Sequence, residues 1–284
     1  MRVVICAKND LAANIAVNQL VAQLPDCDLT FWLSDIDRPA ELHDPDLASL
    51  RFFERQLPKR WIWPLLDGQS GDPGTGHASL RGFADLARAT GARLVMVDSL
   101  RQPVWQERLA ALAPDLMVSI RFSHIFPASL LAIPRLGTVN LHPGDLPVYA
   151  GLFTPFHQLM DGRPALGCTL HWVDAGIDTG ALLAKRFLAV APDRSLLWHV
   201  CHVYPPGIEP LLELIGDLRL GRVPKGDVQD RSLRRYHRLP DAAGFARFRA
   251  AGWRVVDHGD YEELLAGYLP AKPALRPLAV GAAS

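Results

Sequence analysis

No apolar stretch in this sequence comes near the ~20 consecutive residues that a bilayer-spanning helix needs. The opening Met1-Arg2-Val3-Val4-Ile5-Cys6-Ala7 reads as a strand, not as a signal peptide. A membrane partner is therefore not expected, and a cytoplasmic location is. Cysteine is scarce: Cys6, Cys27, Cys168 and Cys201 lie far apart, form no Cys-x-x-Cys and, Cys27 excepted, sit in apolar stretches. That usage suits buried free thiols rather than a disulfide framework or a zinc site. His199-Val200-Cys201-His202 brings ligand types together on a helix, but a metal site needs a second ligand cluster, so no metal is expected. Charge of one sign is missing too, because 30 Lys and Arg balance 30 Asp and Glu. Phosphate binding at physiological salt draws on a basic excess, and nucleic acid is not the expected partner.

What is present is the alternation of a parallel α/β sheet. Short runs rich in β-branched residues, at Arg2 to Ala7, Leu29 to Leu33, Leu94 to Val97, Leu116 to Ile120 and Thr138 to Leu141, read as buried strands. Helical spacing separates them over Leu11 to Leu24, Leu80 to Thr90 and Val104 to Leu112, the last facing the core through Val104, Leu109 and Leu112. The pattern predicts an α/β, Rossmann-like, doubly wound and mostly parallel sheet. Residues Ser34 to Ser79 break the rhythm with Pro39, Pro45, Pro58, Pro64 and Pro73, and end in the glycines Gly68 to Gly76. An irregular loop is expected there, not a nucleotide cradle, since no Lys-Ser or Lys-Thr pair follows.

Further along, Gly167 to Val173 and Leu182 to Val190 are joined through turns bearing Gly176 and Gly180, which predicts an antiparallel excursion at the sheet edge. A helix started by Asp193 or Ser195 must bend or break at Pro205-Pro206, because proline removes a backbone donor and clashes with the preceding turn. Gly221 ends it. The chain thus divides into a main domain, residues 1–221, and a short C-terminal extension, 222–284. The extension carries Phe245, Phe248, Trp253 and Tyr261, too many aromatics for a solvated tail, and is expected to pack on the domain or on a partner subunit in a homodimer.

The densest polar information lies in Thr138-Val139-Asn140-Leu141-His142-Pro143. Two residues apart on a strand, Asn140 and His142 share a face, at the strand end where α/β sheets place ligands. Histidine moves a proton near neutral pH, and an amide donates to a developing oxyanion. Asp178, in Ile177-Asp178-Thr179-Gly180, offers a carboxylate on a glycine-flanked turn, with Asp174 competing for that role. Among aromatics that could line an acceptor pocket (Trp61, Trp63, Tyr149, Phe153, His157, Tyr236 and Trp253), Tyr149 is singled out as substrate-binding.

Asn140-x-His142-Pro143, followed by Leu146-Pro147, Tyr149-x-Gly151 and then Asp178-x-Gly180, resembles the formyltransferase family that uses 10-formyltetrahydrofolate. That family includes glycinamide ribonucleotide transformylase, methionyl-tRNA formyltransferase and the sugar N-formyltransferases. The resemblance implies the formyltransferase fold, with Asn140, His142 and Asp178 as catalytic residues and 10-formyltetrahydrofolate as formyl donor. It implies that the backbone of Ser123, His124, Ile125 and Phe126 holds the pterin, with Val173, Asp174, Ala175, Gly176 and Ile177 on the other side. The first strand ends in Ala7-Lys8-Asn9-Asp10 where glycinamide ribonucleotide transformylase has a Gly-rich phosphate loop. The residues after Gly221 are too few for the β-rich C-terminal domain usual in methionyl-tRNA formyltransferase. The acceptor expected on these grounds is therefore the amine of a small metabolite: an amino-sugar nucleotide, a hydroxyornithine or an amino acid. A 10-formyltetrahydrofolate hydrolase and a catalytically idle folate-binding module remain as alternatives.

Overall fold

The computed structural model describes residues 1–67 and 79–269. The glycines from Gly68 to Gly76 lie outside the described residues. In chain order the strands are β1 (Arg2–Lys8), β2 (Asp28–Ser34), β3 (Arg93–Val97), β4 (Leu116–Ile120), β5 (Thr138–His142), β6 (Ala150–Gly151), β7 (Ala165–Trp172), β8 (Leu182–Ala189) and β9 (Tyr236–His237). Seven of them form one sheet in the order β3-β2-β1-β4-β5-β7-β8. Pairing is parallel from β3 through to β5 and antiparallel for β5 with β7 and β7 with β8, which is a Rossmann-like α/β sheet with the reversed edge that the turn-rich spacing predicts.

The central strand shows why the sheet is covered on both sides. Alternate residues of β1 point opposite ways: Val3, Ile5 and Ala7 enter one apolar cluster with Leu11, Leu20, Val118 and Leu211, while Val4 and Cys6 enter another with Trp32, Trp105, Leu109 and Met117. A strand buried on both faces has no use for polar residues, hence the continuous apolar run. Trp105, absent from the expected helix face, is the buried anchor of the helix Pro103–Leu112; Val104 and Leu112 pack at its margin. Cys6, Cys168 and Cys201 are buried and Cys27 is half-buried, all as free thiols.

The largest departure from the sequence expectation is residues 39–67, which are helical and not irregular. Helices Pro39–His43 and Pro45–Arg51 are followed by wider helical turns at Phe52–Gln56 and Pro58–Ile62 and by Trp63–Asp67. Pro58 lies inside the continuous helical run 45–67, where the turns widen, whereas Pro39 and Pro45 each occupy the first position of a helix. There the missing N–H would have been unpaired in any case, and the ring pre-sets φ for the helix. These prolines begin turns rather than break them. Pro205-Pro206 does interrupt, as a short tight turn between helix Leu196–His202 and helix Ile208–Arg219.

Beyond residue 221 the chain returns to the main core. Phe245 and Phe248 on helix Ala242–Ala250 are 0% exposed, and the Phe248 ring stacks on Phe156 with centroids 4.8 Å apart. Tyr261 reaches across to donate its hydroxyl to the Phe53 carbonyl at 3.0 Å. Phe248→Ala is expected to lower unfolding free energy by about 3 to 5 kcal/mol, read as an earlier urea midpoint. An unchanged midpoint would mean that this ring adds nothing to the core.

Candidate active site

A cavity of about 370 Å³ opens past the ends of β1, β4 and β5. Asn140, His142 and Asp178 line it together. His142, 4% exposed, is pinned from one side: its Nε2 lies 2.7 Å from the main-chain carbonyl of Tyr149. A carbonyl only accepts, so Nε2 carries a proton. The other nitrogen, Nδ1, faces Asp178 Oδ1 at 3.5 Å, a gap longer than an ordinary hydrogen bond that leaves Nδ1 accessible to a reacting atom. The Asp178 carboxylate is aimed by its second oxygen, Oδ2, which accepts from the Gly151 N–H at 2.8 Å.

The turn that presents Asp178 is strained. Asp178 has φ +53°, a left-handed conformation in which aspartate is among the tolerated residues. Gln229, which is buried, holds it there by donating Nε2 to the carbonyls of Asp178 (3.1 Å) and Gly180 (2.7 Å). At Gly180 a Cβ would lie 1.8 Å from the Trp172 carbonyl oxygen, so only glycine lets the chain return this closely. Asp174, the competing carboxylate, is taken up in its own turn, accepting from the Gly176 N–H (3.0 Å) and the Thr179 hydroxyl (2.6 Å). Asp178 and not Asp174 faces the imidazole.

One residue that sequence reasoning missed completes the arrangement. His171 on β7 lies directly across the ladder from Asn140 and is 2% exposed. Its Nδ1 donates to the Trp172 carbonyl at 2.7 Å, which leaves Nε2 as an acceptor for Asn140 Nδ2 at 3.2 Å. This bond selects the amide orientation of Asn140 and leaves its second N–H for a ligand. Strand pairing was the available signal, but His171 sits in a run that read as apolar. Gln229 had no signal at all, being remote in sequence from the turn it holds.

Burial, the largest cause, pushes His171 from its ordinary 6.5 down to about 4, against the opposing pull of Asp178. The folded protein thus binds this proton less well than the unfolded chain does. The stability associated with neutral His171 is present above about pH 6.5 and is lost as pH falls toward 4, on the order of 3 kcal/mol in all. Urea midpoints between pH 7 and 4 should fall more steeply for the wild type than for His171→Gln. Parallel slopes would refute the assignment.

Residues 121–126 line the other side of the cavity, with Phe126 buried and Ile125 exposed. Phe122 and Phe126 stack with centroids 5.4 Å apart, and His124 Nε2 lies 3.2 Å from the Val97 carbonyl. The Ser123 N–H donates to Ser34 Oγ at 3.0 Å, so it is already engaged. The main-chain N–H groups of His124, Ile125 and Phe126 bond to no described residue. Opposite them Val173, Asp174, Gly176 and Ile177 line the cavity; Ala175 is exposed and stands outside the lining. One of these two walls supplies open main-chain donors.

Tyr149 does not line this cavity, contrary to expectation. It is 3% exposed, its hydroxyl donates to Asp161 Oδ2 at 2.9 Å, and its ring stacks on His237. The stacking and the Asp161 bond hold the ring in the interior, and it is the Tyr149 carbonyl that serves the site. Phe153 and Tyr236 are the other named aromatics that do reach the lining. Both histidines of His199-x-x-His202 are occupied by helix carbonyls, those of Ser195 and Trp198. Among the described residues no group of three or more His, Cys, Asp or Glu is placed to hold a metal ion, and no helix is long and apolar enough to cross a membrane.

A family model described as formyl transferase matches residues 83–197. The methionyl-tRNA formyltransferase of Trichlorobacter lovleyi is 34% identical over 139 residues, 49% of this chain and 44% of that protein. The chain thus spans about half the length of the curated relatives it matches. A sugar N-formyltransferase from a Shewanella species superposes with a TM-score of 0.53 at 17% identity, covering 94% of this chain and 87% of that one. A sugar 3-N-formyltransferase crystallised in the presence of dTDP and 5-N-formyl-THF gives 0.52 at 13% identity, covering 84% and 69%. At these identities the two structures show a shared fold.

Proposed function

We propose that this chain, which carries a formyltransferase-family domain, moves a formyl group from 10-formyltetrahydrofolate to the amine of a small metabolite. One observation carries the reading: an amide, an imidazole and a carboxylate (Asn140, His142 and Asp178) converge on one cavity whose far wall offers the open main-chain donors of residues 124–126. These residues fit a pterin between that wall and the 173–177 turn. The bound folate supplies a formyl group already activated for transfer to nitrogen.

The chain's own groups do the rest. Asn140, oriented by His171, donates its remaining N–H to the formyl oxygen as negative charge develops there. His142, fixed at Nε2 by the Tyr149 carbonyl, offers Nδ1–H to the same oxygen. Asp178, anchored by the Gly151 N–H and facing that imidazole, takes the proton from the attacking amine, directly or through water. As the new C–N bond forms, the bond from the formyl carbon to the folate nitrogen breaks, and the proton passes to that nitrogen as tetrahydrofolate leaves. Preorganised donors of this kind contribute ~10² to 10³ each in rate. Residues 222–269 act in this reading as an extension that seals the core behind the site and not as a separate unit.

The curated relatives are named for methionyl-tRNA, which makes a tRNA-borne amine the second reading. The balance of 30 basic and 30 acidic residues gives no general field for a polyanion and favours the small acceptor. The test supplies purified protein with 10-formyltetrahydrofolate and either a panel of small amines or methionyl-tRNA, and measures formylated product and free formate. Formyl amine supports the proposal. Product on tRNA alone replaces the acceptor, formate alone makes the protein a hydrolase, and neither product with folate bound makes it an idle binding module.

A further inference from the structure

Beyond Asn140 and His142 the cavity continues to the end of β1, against Glu41, Leu47, Leu50, Glu54 and Arg55 of the helical segment that follows Arg38. The strand order β3-β2-β1-β4-β5 reverses its progression between β1 and β4, and the crevice outside the carboxyl ends of such a strand pair is where α/β sheets receive ligands. Lys8, the last residue of β1, and Arg121, just past β4, both line the cavity there.

The charges in this compartment pair off almost completely. Arg121 sits between Asp10 Oδ2 at 3.0 Å and Glu54 Oε1 at 2.6 Å, and Lys8 Nζ lies 3.4 Å from Glu41 Oε1. Arg51 and Arg55 share Asp37, and Lys59 and Arg55 share Asp35. Each carboxylate is therefore spoken for by at least one cation. Arg38 is left over: it lines the cavity, is half-buried, and its guanidinium makes no ion pair with any described residue. Its main chain alone is engaged, the N–H by Glu41 Oε2 at 2.8 Å and the carbonyl by the Glu41 N–H at 2.9 Å. Burial pushes Glu54 up to about 7, against the pull of Arg121, and pushes Lys8 down, against the pull of Asp10, Glu54 and Glu41.

We infer that the acceptor is a small primary amine bearing an anionic group, and that Arg38 receives this group while the amine reaches Asn140 and His142. The inference deepens the formyl-transfer reading and rests on it. A guanidinium offers paired donors that match a carboxylate or a phosphate. At about 370 Å³ the cavity lies near the lower end of ~300 to 1,000 Å³ for small-molecule sites. It must also admit the reacting end of the folate, so the amine is compact.

The purified protein is given 10-formyltetrahydrofolate with ethanolamine, β-alanine or O-phosphoethanolamine, primary amines of similar basicity that differ in charge. The expected kcat/KM for an anionic member exceeds that for ethanolamine by about ten- to a hundredfold, the worth of one hydrogen bond to a charged group. Arg38→Gln should bring that ratio close to one. This substitution leaves the main-chain bond to Glu41 in place, so the variant is expected to fold. A preference for β-alanine identifies a carboxylate; one for O-phosphoethanolamine identifies a phosphate. Equal rates, formylation of none of these amines, or a preference that Arg38→Gln does not reduce would overturn the anionic acceptor. Binding of 5-formyltetrahydrofolate, measured by calorimetry in parallel, separates the two levels. Folate bound with no charge preference sinks this inference alone, whereas no folate bound sinks the formyl-transfer reading and this inference with it.

Discussion

His142→Ala is expected to lower kcat for formyl transfer by ~10² to 10⁴ while leaving the affinity for 5-formyltetrahydrofolate nearly unchanged. The imidazole is held for chemistry, not for folate: Nε2 is committed to the Tyr149 carbonyl at 2.7 Å and Nδ1 is turned toward Asp178. The wall opposite, at residues 124–126, presents main chain. Asn140→Ala and Asp178→Ala should show the same split between turnover and binding. Losses in the double variants should fall well short of the product of the single ones, because groups acting as one unit are not additive. Asp178→Asn keeps the shape and removes the charge. Near-normal turnover in that variant would reduce Asp178 to a turn-former, and folate affinity falling in step with kcat would place these side chains in the donor site instead.

The second large effect belongs to a residue with no side chain. A Cβ on Gly144 would lie 2.3 Å from the Tyr149 carbonyl oxygen and 2.7 Å from His142 Nε2, so Gly144→Ala strikes both ends of the bond that orients the imidazole. The backbone has little room to yield, since the Gly144 carbonyl accepts from the Thr169 hydroxyl at 2.6 Å and the Leu146 N–H at 3.1 Å. A misplacement of about 1 Å can cost ~10² in rate, and that is the expected fall in kcat, together with about 1 to 3 kcal/mol of stability lost to overpacking. The two are separated by measuring turnover well below the new melting temperature. Undiminished turnover would mean that the Tyr149 carbonyl does not set the His142 geometry.

The sequence made the sheet legible because a strand buried on both faces is almost wholly apolar, as Val3 to Ala7 and, Ser119 excepted, Leu116 to Ile120 are. Asn140 and His142 were legible through strand parity. Asp178 could be separated from Asp174 only once the turn was seen, since both are aspartates near glycines and only the fold shows which carboxylate is spent on its own loop. The helical segment 39–67 was hidden by prolines whose meaning depends on position within a turn. His171 and Gln229 were hidden for a different reason: each acts through a partner 31 or 49 to 51 residues away, and pairing across strands or loops leaves no local periodicity to read.

The small ladder between β6 and β9 bears on how such a protein could be recombined. Ala150 and Gly151 pair with Tyr236 and His237, and the same Gly151 supplies the N–H that aims Asp178. A chimaera that took its final third from another parent would therefore exchange more than a surface. Its new ending would inherit responsibility for the posture of the carboxylate, and would need a segment able to seat against residues 150–151, where a Cβ on Gly151 would meet the His237 carbonyl oxygen at 2.4 Å. Crossovers between residues 151 and 236 would split partners that work together, whereas crossovers that keep both within one parental block would transplant them intact.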